Sequence, residues 1–328
     1  MQIIDKIIEE IFKANTICII SHDGPDADAI GSSLALESAL LQLNKKAKFI
    51  LQTHPSDSFK TLLGDRTKRV LKKNEVFDLV FILDCSSFDR IKSLNIKSLS
   101  DNIITIDHHI SNEHEGLICW REVVPSTGVL IYQLLRKLES CSTFTINAFI
   151  ATNLLMSIRG DTDNFTISFD NYDIYRIASE LMAYHADVTL INEMEKYNLS
   201  LVKLMGKTLN KLIFNPFSQI AYLIITKEEI ELCGASFNDA SHIIDLLKNI
   251  KDIKVTYLIL QNRNKLSIKA RSNIINVNDI MQEFGGGGHA SAAGISDFYC
   301  KDIYQFINSL IKKTEQKMQL SSGYILTH

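Results

Sequence analysis

NTICIISHDGPDADAIGSS, residues 15–33, is the stretch that decides the fold. It begins with a short apolar run, turns at a Gly-Pro pair, and continues into apolar residues at helical spacing over 29–43. The pattern predicts a strand, a loop and a helix. The loop is rich in carboxylates and carries His22. Because loops that follow parallel strands meet at one edge of the sheet, this loop is the first candidate for a functional site.

Further short strands are predicted along the first half of the chain. Runs of apolar and β-branched residues cover 48–51, 78–83 and 102–106, with helical or polar stretches between them. Asp84 and Asp107 follow the last two runs immediately. This alternation predicts an α/β fold whose first domain has a mainly parallel sheet flanked by helices.

The second half of the chain changes from helical to strand-rich. Helices are predicted over 127–137, 146–158 and 172–184, and a charged amphipathic stretch then predicts a helix that joins two domains. Beyond Asn215-Pro216 the predicted elements are a strand at 220–225, a hairpin of 255–261 with 265–271, and a helix at 277–284. We expect a catalytic domain at 1–190, a helical linker at 191–215 and a smaller α/β domain at 216–328.

Composition narrows the classes of function. The 328 residues are 46% hydrophobic, which is enough for two cores. The net charge of −3 gives no broad basic field, so long duplex nucleic acid is an unsuitable partner and any nucleic-acid substrate is short. Six scattered cysteines without a C-x-x-C pair, no signal peptide and no long apolar run predict a cytoplasmic protein that does not bind membranes.

The acidic and histidine residues at element ends form a candidate metal centre. Each residue alone has an ordinary alternative, since Asp-x-Asp in a loop is most often a turn former. Two neighbouring divalent ions need a carboxylate that bridges them and further oxygen or imidazole ligands, a set that suits Mn²⁺. The chain offers such a set in His22, Asp26, Asp28, Asp84, Asp107, His108, His109 and Asp161.

These motifs, taken in order, resemble the DHH phosphoesterase superfamily, whose name matches Asp107-His108-His109 here. The C-terminal part resembles the glycine-rich domain associated with that family. The matching stretches are SHDGPDADAIGSS (21–33), FILDCSSFDR (81–90), IDHHISN (106–112), DTDNF (161–165), IKARS (268–272) and GGGGHASAAG (285–294).

The resemblance implies roles for the matching residues. One metal ion would be held by His22, Asp26 and Asp84, and a second by Asp28, Asp84, His108 and Asp161. Asp84 is then the bridge, and the catalytic residues are Asp84, Asp107 and His109. Asp107 would orient a neighbouring imidazole, and His109 would face the phosphate and protonate the leaving oxygen.

The glycine tract has two interpretations, a flexible connector or a loop whose backbone N–H groups approach an anion. The resemblance favours a substrate-binding loop of Gly286, Gly287, Gly288 and His289. Arg271 is the candidate for a guanidinium that clamps a terminal phosphate, and the alternative is an exposed strand residue. These residues belong to the second domain, so the active site is expected in a cleft between the domains.

The function that follows is hydrolysis of a phosphoric ester with two Mn²⁺ ions per site, with Mg²⁺ or Co²⁺ as substitutes. Chains of this length resemble the branch of the family that acts on short oligoribonucleotides, pApA, cyclic di-AMP or 3'-phosphoadenosine 5'-phosphate. The alternatives are a nucleotide-sensing protein with little catalysis, a single-strand exonuclease and a polyphosphatase. A homodimer is left open. Departures from the family pattern are Val129, Gly160 and Asp163.

Overall fold

The computed structural model describes residues 2–53, 55–86, 88–91, 94–109, 116–166, 173–288 and 290–323. The chain divides into two compact units, Met1–Lys196 and Tyr197–His328, and each unit has its own β-sheet. The predicted two-domain α/β fold is confirmed.

The first unit is built on a five-stranded parallel sheet with the strand order β2-β1-β3-β4-β5. The strands are β1 (Thr16–Ser21), β2 (Lys46–Ile50), β3 (Leu79–Leu83), β4 (Ile103–Asp107) and β5 (Ile118–Arg121). The helices are α1 (Ile3–Lys13), α2 (Ala27–Gln42), α3 (Lys60–Leu63), α4 (Thr127–Cys141), α5 (Ala148–Asp161), α6 (Ile174–Ala183) and α7 (Val188–Met194). The predicted helix over 172–184 corresponds to α6, and residue 172 lies outside the described residues.

Side chains of the central strands alternate between two apolar layers. Ile17 and Ile19 of β1 belong to the large core beneath α2, α4 and α5, whereas Cys18 and Ile20 face a smaller cluster on the opposite side of the sheet. Successive side chains of a strand point to opposite faces, so a strand covered on both faces reads as a continuous apolar run. That is why the sequence pattern located β1, β3 and β4.

Helices α2 and α5 lie against each other within the large core. Asp26 caps α2, because its Oδ1 accepts the backbone N–H groups of Asp28 at 3.0 Å and Ala29 at 3.1 Å. A side chain at Gly31 would collide with the backbone oxygen of Asn153 on α5. The glycine therefore lets the two helix backbones approach closely.

The second unit has a six-stranded mixed sheet in the order β10-β11-β9-β8-β7-β6. Only β7 and β8 pair in parallel, and the other neighbouring strands are antiparallel. The strands are β6 (Ile213–Asn215), β7 (Ile220–Thr226), β8 (Val255–Asn262), β9 (Lys265–Ser272), β10 (Gly287–Gly288) and β11 (Ala292–Tyr299). The helices are α8 (Leu199–Thr208), α9 (Lys227–Leu232), α10 (Phe237–Ser241), α11 (Ile243–Leu247), α12 (Val277–Glu283) and α13 (Ile303–Gly323).

The two faces of the second sheet differ in polarity at β9. Ile268 and Ala270 pack into the core under α12 and α13, together with Tyr257 and Ile259 of β8. On the opposite face β8 contributes apolar side chains to the core under α10 and α11. The β9 side chains on that face are Lys265, Ser267, Lys269 and Arg271.

The stretch predicted as a linker helix contains several elements. Within 191–215 lie the end of α7, all of α8, a 3₁₀ turn at Leu209–Lys211 and strand β6. Helix α7 ends at Met194, and Asn198 caps α8 by accepting the backbone N–H of Leu201 at 2.7 Å. In the described part of the chain, every helix is too short or too polar to span a lipid bilayer.

Candidate active site and metal centre

The carboxyl ends of β1, β3 and β4 place titratable side chains at one edge of the parallel sheet. His22 follows β1, Asp84 follows β3, and Asp107 is the last residue of β4 and is followed by His108. Neighbouring parallel strands end at the same edge, so residues distant in sequence converge there.

Asp84 lies at the centre of this convergence. Its Oδ2 is 3.6 Å from Nε2 of His22, and its Oδ1 is 3.5 Å from Nε2 of His108. The Thr127 hydroxyl donates to Oδ1 at 3.2 Å. The backbone of Asp84 has φ of 54°, in the left-handed region that aspartate tolerates better than most residues. The two oxygens of one carboxylate thus face two different groups of donor atoms.

The first donor group consists of His22, Asp26 and Asp84, whose ligand atoms all lie within 4.8 Å of one another. His22 is buried and donates from Nδ1 to the backbone oxygen of Asp23 at 2.8 Å. Its Nε2 therefore points to the carboxylates, 3.9 Å from Asp26.

The second donor group consists of Asp28, His108 and Asp161, within the same distance of one another. His108 donates from Nδ1 to the backbone oxygen of Val124 at 3.1 Å. Its Nε2 is 3.0 Å from Asp161 and 3.7 Å from Asp28. A third group joins Asp84, His108 and His109, so the structure also brings His109 within reach of a cation.

Asp28 is held by hydrogen bonds from two helices. Its carboxylate accepts the first backbone N–H groups of α4, from Thr127 at 2.7 Å and Gly128 at 3.0 Å. The hydroxyl of Ser157 on α5 also donates to it. Asp28 is fully buried, and these donors fix its orientation.

The electrostatic environment of the cluster favours the binding of a cation. Burial raises the pKa of Asp28 well above its ordinary value of 3.8, and the nearby carboxylates of Asp84 and Asp161 raise it further. Burial lowers the pKa of His108, but its hydrogen bond to Asp161 and the charges of the other carboxylates outweigh burial and raise it to about 11. For Asp84, burial raises the pKa, and the surrounding histidines outweigh burial and hold it below the ordinary value.

These donors fit divalent metal ions. Both His22 and His108 use Nδ1 to donate to a backbone carbonyl, which is the arrangement that directs the Nε2 lone pair of a metal-bound histidine. In both, Nε2 faces carboxylate oxygens, and lone pairs that face one another require a proton or a cation between them. The acidic and histidine groups are therefore positioned for metal binding.

Asp107 lies behind the donor groups and is fully buried. Its Oδ1 is 2.7 Å from Nδ1 of His109, and its Oδ2 is 3.4 Å from Nε of Arg121 on β5. A carboxylate that binds one ring nitrogen fixes the orientation of the imidazole. Asp107 contacts the neighbouring imidazole that the sequence analysis expected it to orient.

The predicted substrate residues lie in the second unit. Arg271 on β9 is half-buried, and its Nε is 3.7 Å from Asp245. The glycine tract is ordered against β11, because Gly287 pairs with Gly294 and Gly288 with Ala293. Added side chains at Gly286 and Gly288 would collide with β11, and Gly288 has φ of 149°. The tract is therefore not a flexible connector. His289 lies outside the described residues.

Four residues of the cluster were missed from the sequence, among them Arg90, whose Nη2 lies 3.3 Å from Nδ1 of His22. Thr127 and Ser157 donate to the candidate ligands, and Arg121 contacts Asp107. A serine inside the apolar helix at 148–161 was the available signal for Ser157. Arg121 belongs to β5, a strand that the sequence pattern did not reveal.

The three positions that depart from the family pattern differ in their packing and backbone conformation. A side chain at Gly160 would approach Cβ of Ala27 to 2.8 Å, so glycine here permits close packing against the start of α2. Asp163 begins three consecutive residues with positive φ, of 49°, 57° and 67°. Val129 is buried in the core of the first unit.

Two protein-family models match the chain: the DHH family N-terminal domain over residues 16–158 and the DHHA1 domain over 225–318. The chain therefore carries a DHH family N-terminal domain followed by a DHHA1 domain.

Relatives agree with this assignment. The bifunctional oligoribonuclease and PAP phosphatase NrnA of Mycoplasma genitalium is 28% identical, over 94% of this chain and 97% of its own length. The cyclic-di-AMP phosphodiesterase PdeA of Listeria monocytogenes is 25% identical, over 89% of this chain and 46% of its own length. The crystal structure of an exopolyphosphatase-related protein from Bacteroides fragilis is 26% identical with a TM-score of 0.87, covering 98% of this chain and 97% of that one. The predicted enzyme class, a hydrolase, is confirmed.

Proposed function

We propose that this chain is a Mn²⁺-dependent, two-metal phosphodiesterase and phosphatase that hydrolyses short nucleotides to mononucleotides. The substrates are oligoribonucleotides of a few units, pApA or cyclic di-AMP, and 3'-phosphoadenosine 5'-phosphate. The observation that carries the proposal is Asp84, whose two oxygens face His22 on one side and His108 on the other. A carboxylate in that position suits a bridge between two cations.

The proposed ligand sets follow the donor groups. His22, Asp26 and Asp84 would hold one ion; Asp28, Asp84, His108 and Asp161 would hold the other. Two bound cations would supply a lowered pKa of water and would stabilise the negative charge that develops on the phosphoryl and leaving oxygens. Mg²⁺ or Co²⁺ would be expected to substitute for Mn²⁺.

The other residues of the cluster would protonate the leaving oxygen and position the candidate metal ligands. Asp107 holds the His109 ring through Nδ1, and Nε2 is the ring nitrogen that would protonate the departing oxygen. Thr127 and Ser157 keep the carboxylates of Asp84 and Asp28 in place.

The names of the relatives and several residues of the second unit support the proposed substrate class. The names of NrnA and PdeA support short oligoribonucleotides, PAP and cyclic di-AMP as substrates. A phosphate would be bound by Arg271, by the backbone of Gly286, Gly287 and Gly288, and by His289, the next residue in the sequence. We propose a cytoplasmic enzyme with a short nucleotide partner, without long duplex nucleic acid or membrane, and a homodimer is left open.

The test is product analysis with Mn²⁺ on short RNA, pApA, cyclic di-AMP and 3'-phosphoadenosine 5'-phosphate. We expect mononucleotide products, and we expect Asp84→Asn to abolish turnover because it removes the shared charged ligand. The matched control is Asp78→Asn, at the opposite end of β3, where the aspartate accepts backbone N–H groups and the amide oxygen can replace it.

Three results would overturn the proposal. Turnover of polyphosphate or pyrophosphate without any of the nucleotides would favour a polyphosphatase. Wild-type rates in Asp84→Asn would remove the two-metal assignment. Binding of the nucleotides without turnover would instead identify a sensing protein.

A further inference from the structure

Tyr175, in the first turn of α6, is an exposed aromatic side chain that the proposed function does not use. The residue is 67% exposed, and its hydroxyl donates to the backbone oxygen of Phe165 at 3.1 Å. An exposed tyrosine usually keeps its hydroxyl in water and its ring against the protein. In Tyr175 the hydroxyl instead returns to the protein, and much of the ring is left exposed.

The side chain of Phe165 supports the Tyr175 ring from one side. The two rings, here the aromatic pair, lie 5.7 Å apart between their centroids, with an angle of 33° between their planes. Such an offset arrangement is a favourable aromatic contact. Phe165 is itself partly buried and packs against the apolar core of the first unit. Because Phe165 covers one side of the Tyr175 ring, the exposed area lies on the other side.

The backbone that carries Phe165 is a strained turn shortly after Asp161. Asp163, Asn164 and Phe165 have positive φ in succession, of 49°, 57° and 67°. Aspartate and asparagine tolerate this region, whereas a bulky residue such as phenylalanine rarely adopts it. Backbone strain of this kind persists where the surrounding structure enforces it, and it is concentrated at active sites and ligand-binding sites. The turn is therefore a candidate for a role in substrate binding.

Hydrogen bonds hold the turn beside a candidate metal ligand. The N–H of Phe165 donates to the hydroxyl of Thr162 at 3.1 Å, and the N–H of Asn164 donates to the carbonyl of Arg159 at 2.8 Å. Arg159 lies in the last turn of α5, and Asp161 is the last residue of that helix. The aromatic pair is thus fixed to the same short stretch of backbone as Asp161.

We propose that the exposed side of the Tyr175 ring is a stacking platform for a nucleobase of the substrate. The inference rests on the proposed function, because it takes a nucleotide bound at the candidate metal centre as the ligand. A base is joined to the adjoining phosphate through one sugar, so a phosphate bound near Asp161 carries a base close to the site. Stacking on aromatic side chains is a general way of binding single-stranded nucleic acid.

This subsite selects for the presence of a base and not for its identity. Every base has a flat π-face that can stack on a ring, whereas hydrogen bonds to the edges of a base distinguish one base from another. The hydroxyl bond to Phe165 and the contact between the rings fix Tyr175 before the substrate arrives. A ring that is already ordered loses less conformational entropy on binding, so it contributes more to affinity.

The first test is steady-state hydrolysis of dinucleotides with Mn²⁺. Tyr175→Leu removes the flat ring and keeps an apolar side chain. We expect KM for pApA and for pUpU to rise about 10-fold, as for the loss of one stacked base, while kcat stays near the wild-type value. An abasic dinucleotide, in which hydrogen replaces both bases, should have the same KM in the variant and in wild type.

Two further variants separate stacking from a structural effect. Tyr175→Phe keeps the ring and loses only the hydrogen bond to Phe165, so it should retain most of the affinity. Tyr304→Leu is the matched control, because Tyr304 is 66% exposed and belongs to α13 in the second unit; it should change neither constant. If Tyr175→Leu changes KM equally for pApA and the abasic dinucleotide, or changes neither, the inference is wrong while the proposed function stands.

The second test observes the stacking directly. The fluorescence of 2-aminopurine falls when this base stacks on an aromatic ring. Rapid mixing of the full chain and Mn²⁺ with a 2-aminopurine dinucleotide reports on the complex before turnover. We expect quenching in wild type and in Tyr304→Leu, and we expect it to be lost in Tyr175→Leu at a dinucleotide concentration that saturates the variant.

The outcomes of the second test separate the two proposals. Unquenched fluorescence in wild type, or equal quenching in Tyr175→Leu, would overturn the inference and leave the hydrolytic function intact. Quenching that depends on Tyr175, in a chain that hydrolyses none of the dinucleotides, would instead overturn the proposed function and support the base subsite.

Discussion

At the scale of single residues, the site depends on side chains that orient other side chains. Asp84 leaves β3 in a left-handed conformation, which turns its carboxylate toward both histidines. Asp28 is clamped by the start of α4 and by Ser157 of α5. Groups that support metal ligands in this way commonly contribute as much to function as some ligands do.

The Ser157→Ala variant tests this support. It removes a hydroxyl that donates to the buried carboxylate of Asp28, so we expect Mn²⁺ affinity to fall by about 10-fold, within the range for supporting residues of metal sites. Titration calorimetry with Mn²⁺ measures the effect. The control is Ser33→Ala, since Ser33 is also a buried helical serine, and its hydroxyl has no hydrogen-bond partner in the part of the chain that the structure describes. Equal affinities in the two variants would contradict a role for Ser157.

The sequence could locate the candidate ligands but could not locate their supports. Asp84, Asp107 and His108 interrupt or end apolar runs, which is a local signal that reads directly from the chain. Thr127 and Ser157 reach Asp28 or Asp84 only because α4 and α5 pack against α2, and such long-range packing has no local pattern.

At the scale of elements, the close approach of α2 and α5 determines where Asp28 and Asp161 meet. Gly31 lies against the backbone of Asn153. A Cβ added at Gly31 would lie 2.9 Å from Cβ of Ser157. Both candidate ligands belong to these two helices, at the first turn of α2 and the last residue of α5. A change in helix spacing therefore changes the donor group.

The Gly31→Ala variant should destabilise the protein, although alanine is the better helix former. Added volume in a packed core costs about 1–3 kcal/mol, which exceeds the gain in helix propensity. Urea unfolding measures the change in the free energy of unfolding. Gly206→Ala is the matched control, because nothing lies within 4 Å of its added Cβ in α8. It should stabilise by about 0.5–1 kcal/mol, and the same sign in both variants would contradict this packing.

Elements whose formation depends on contacts with neighbouring elements were harder to predict from the sequence. Strand β5, Ile118–Arg121, has four residues and a mixed composition, and it forms because the edge of β4 is available for pairing. The separation of α7 from α8 involves neither proline nor glycine, so an amphipathic stretch was predicted as one continuous helix. Long apolar runs such as β1 and β3 were predicted correctly because burial on both faces leaves a clear pattern.

At the scale of the whole molecule, each unit has its own sheet and its own apolar cores. Among the residues that the structure describes, the donor groups that fit metal ions all belong to the first unit. A ligand that binds only the folded form stabilises the part that contains its site.

Hydrogen exchange with and without Mn²⁺ tests this division. At 100 times its dissociation constant a ligand stabilises by about 2.7 kcal/mol, so amides of β1, β3, β4, α2 and α5 should exchange more slowly with Mn²⁺. Amides of the second sheet should change little. In Asp84→Asn the protection should disappear. Equal protection of both sheets would contradict a metal centre confined to the first unit.

The positions of the candidate ligands in the sequence also determine when the cluster can form during synthesis. His22 and Asp161 lie at opposite ends of the stretch that builds the site, and all other candidate ligands lie between them. At about 5–20 residues per second, a ribosome adds Asp161 roughly 7–28 s after His22. Until α5 has been synthesised and has packed on α2, the second donor group lacks one of its carboxylates. The nascent chain therefore completes this cluster of candidate ligands only after Asp161 has been added and α5 has packed on α2.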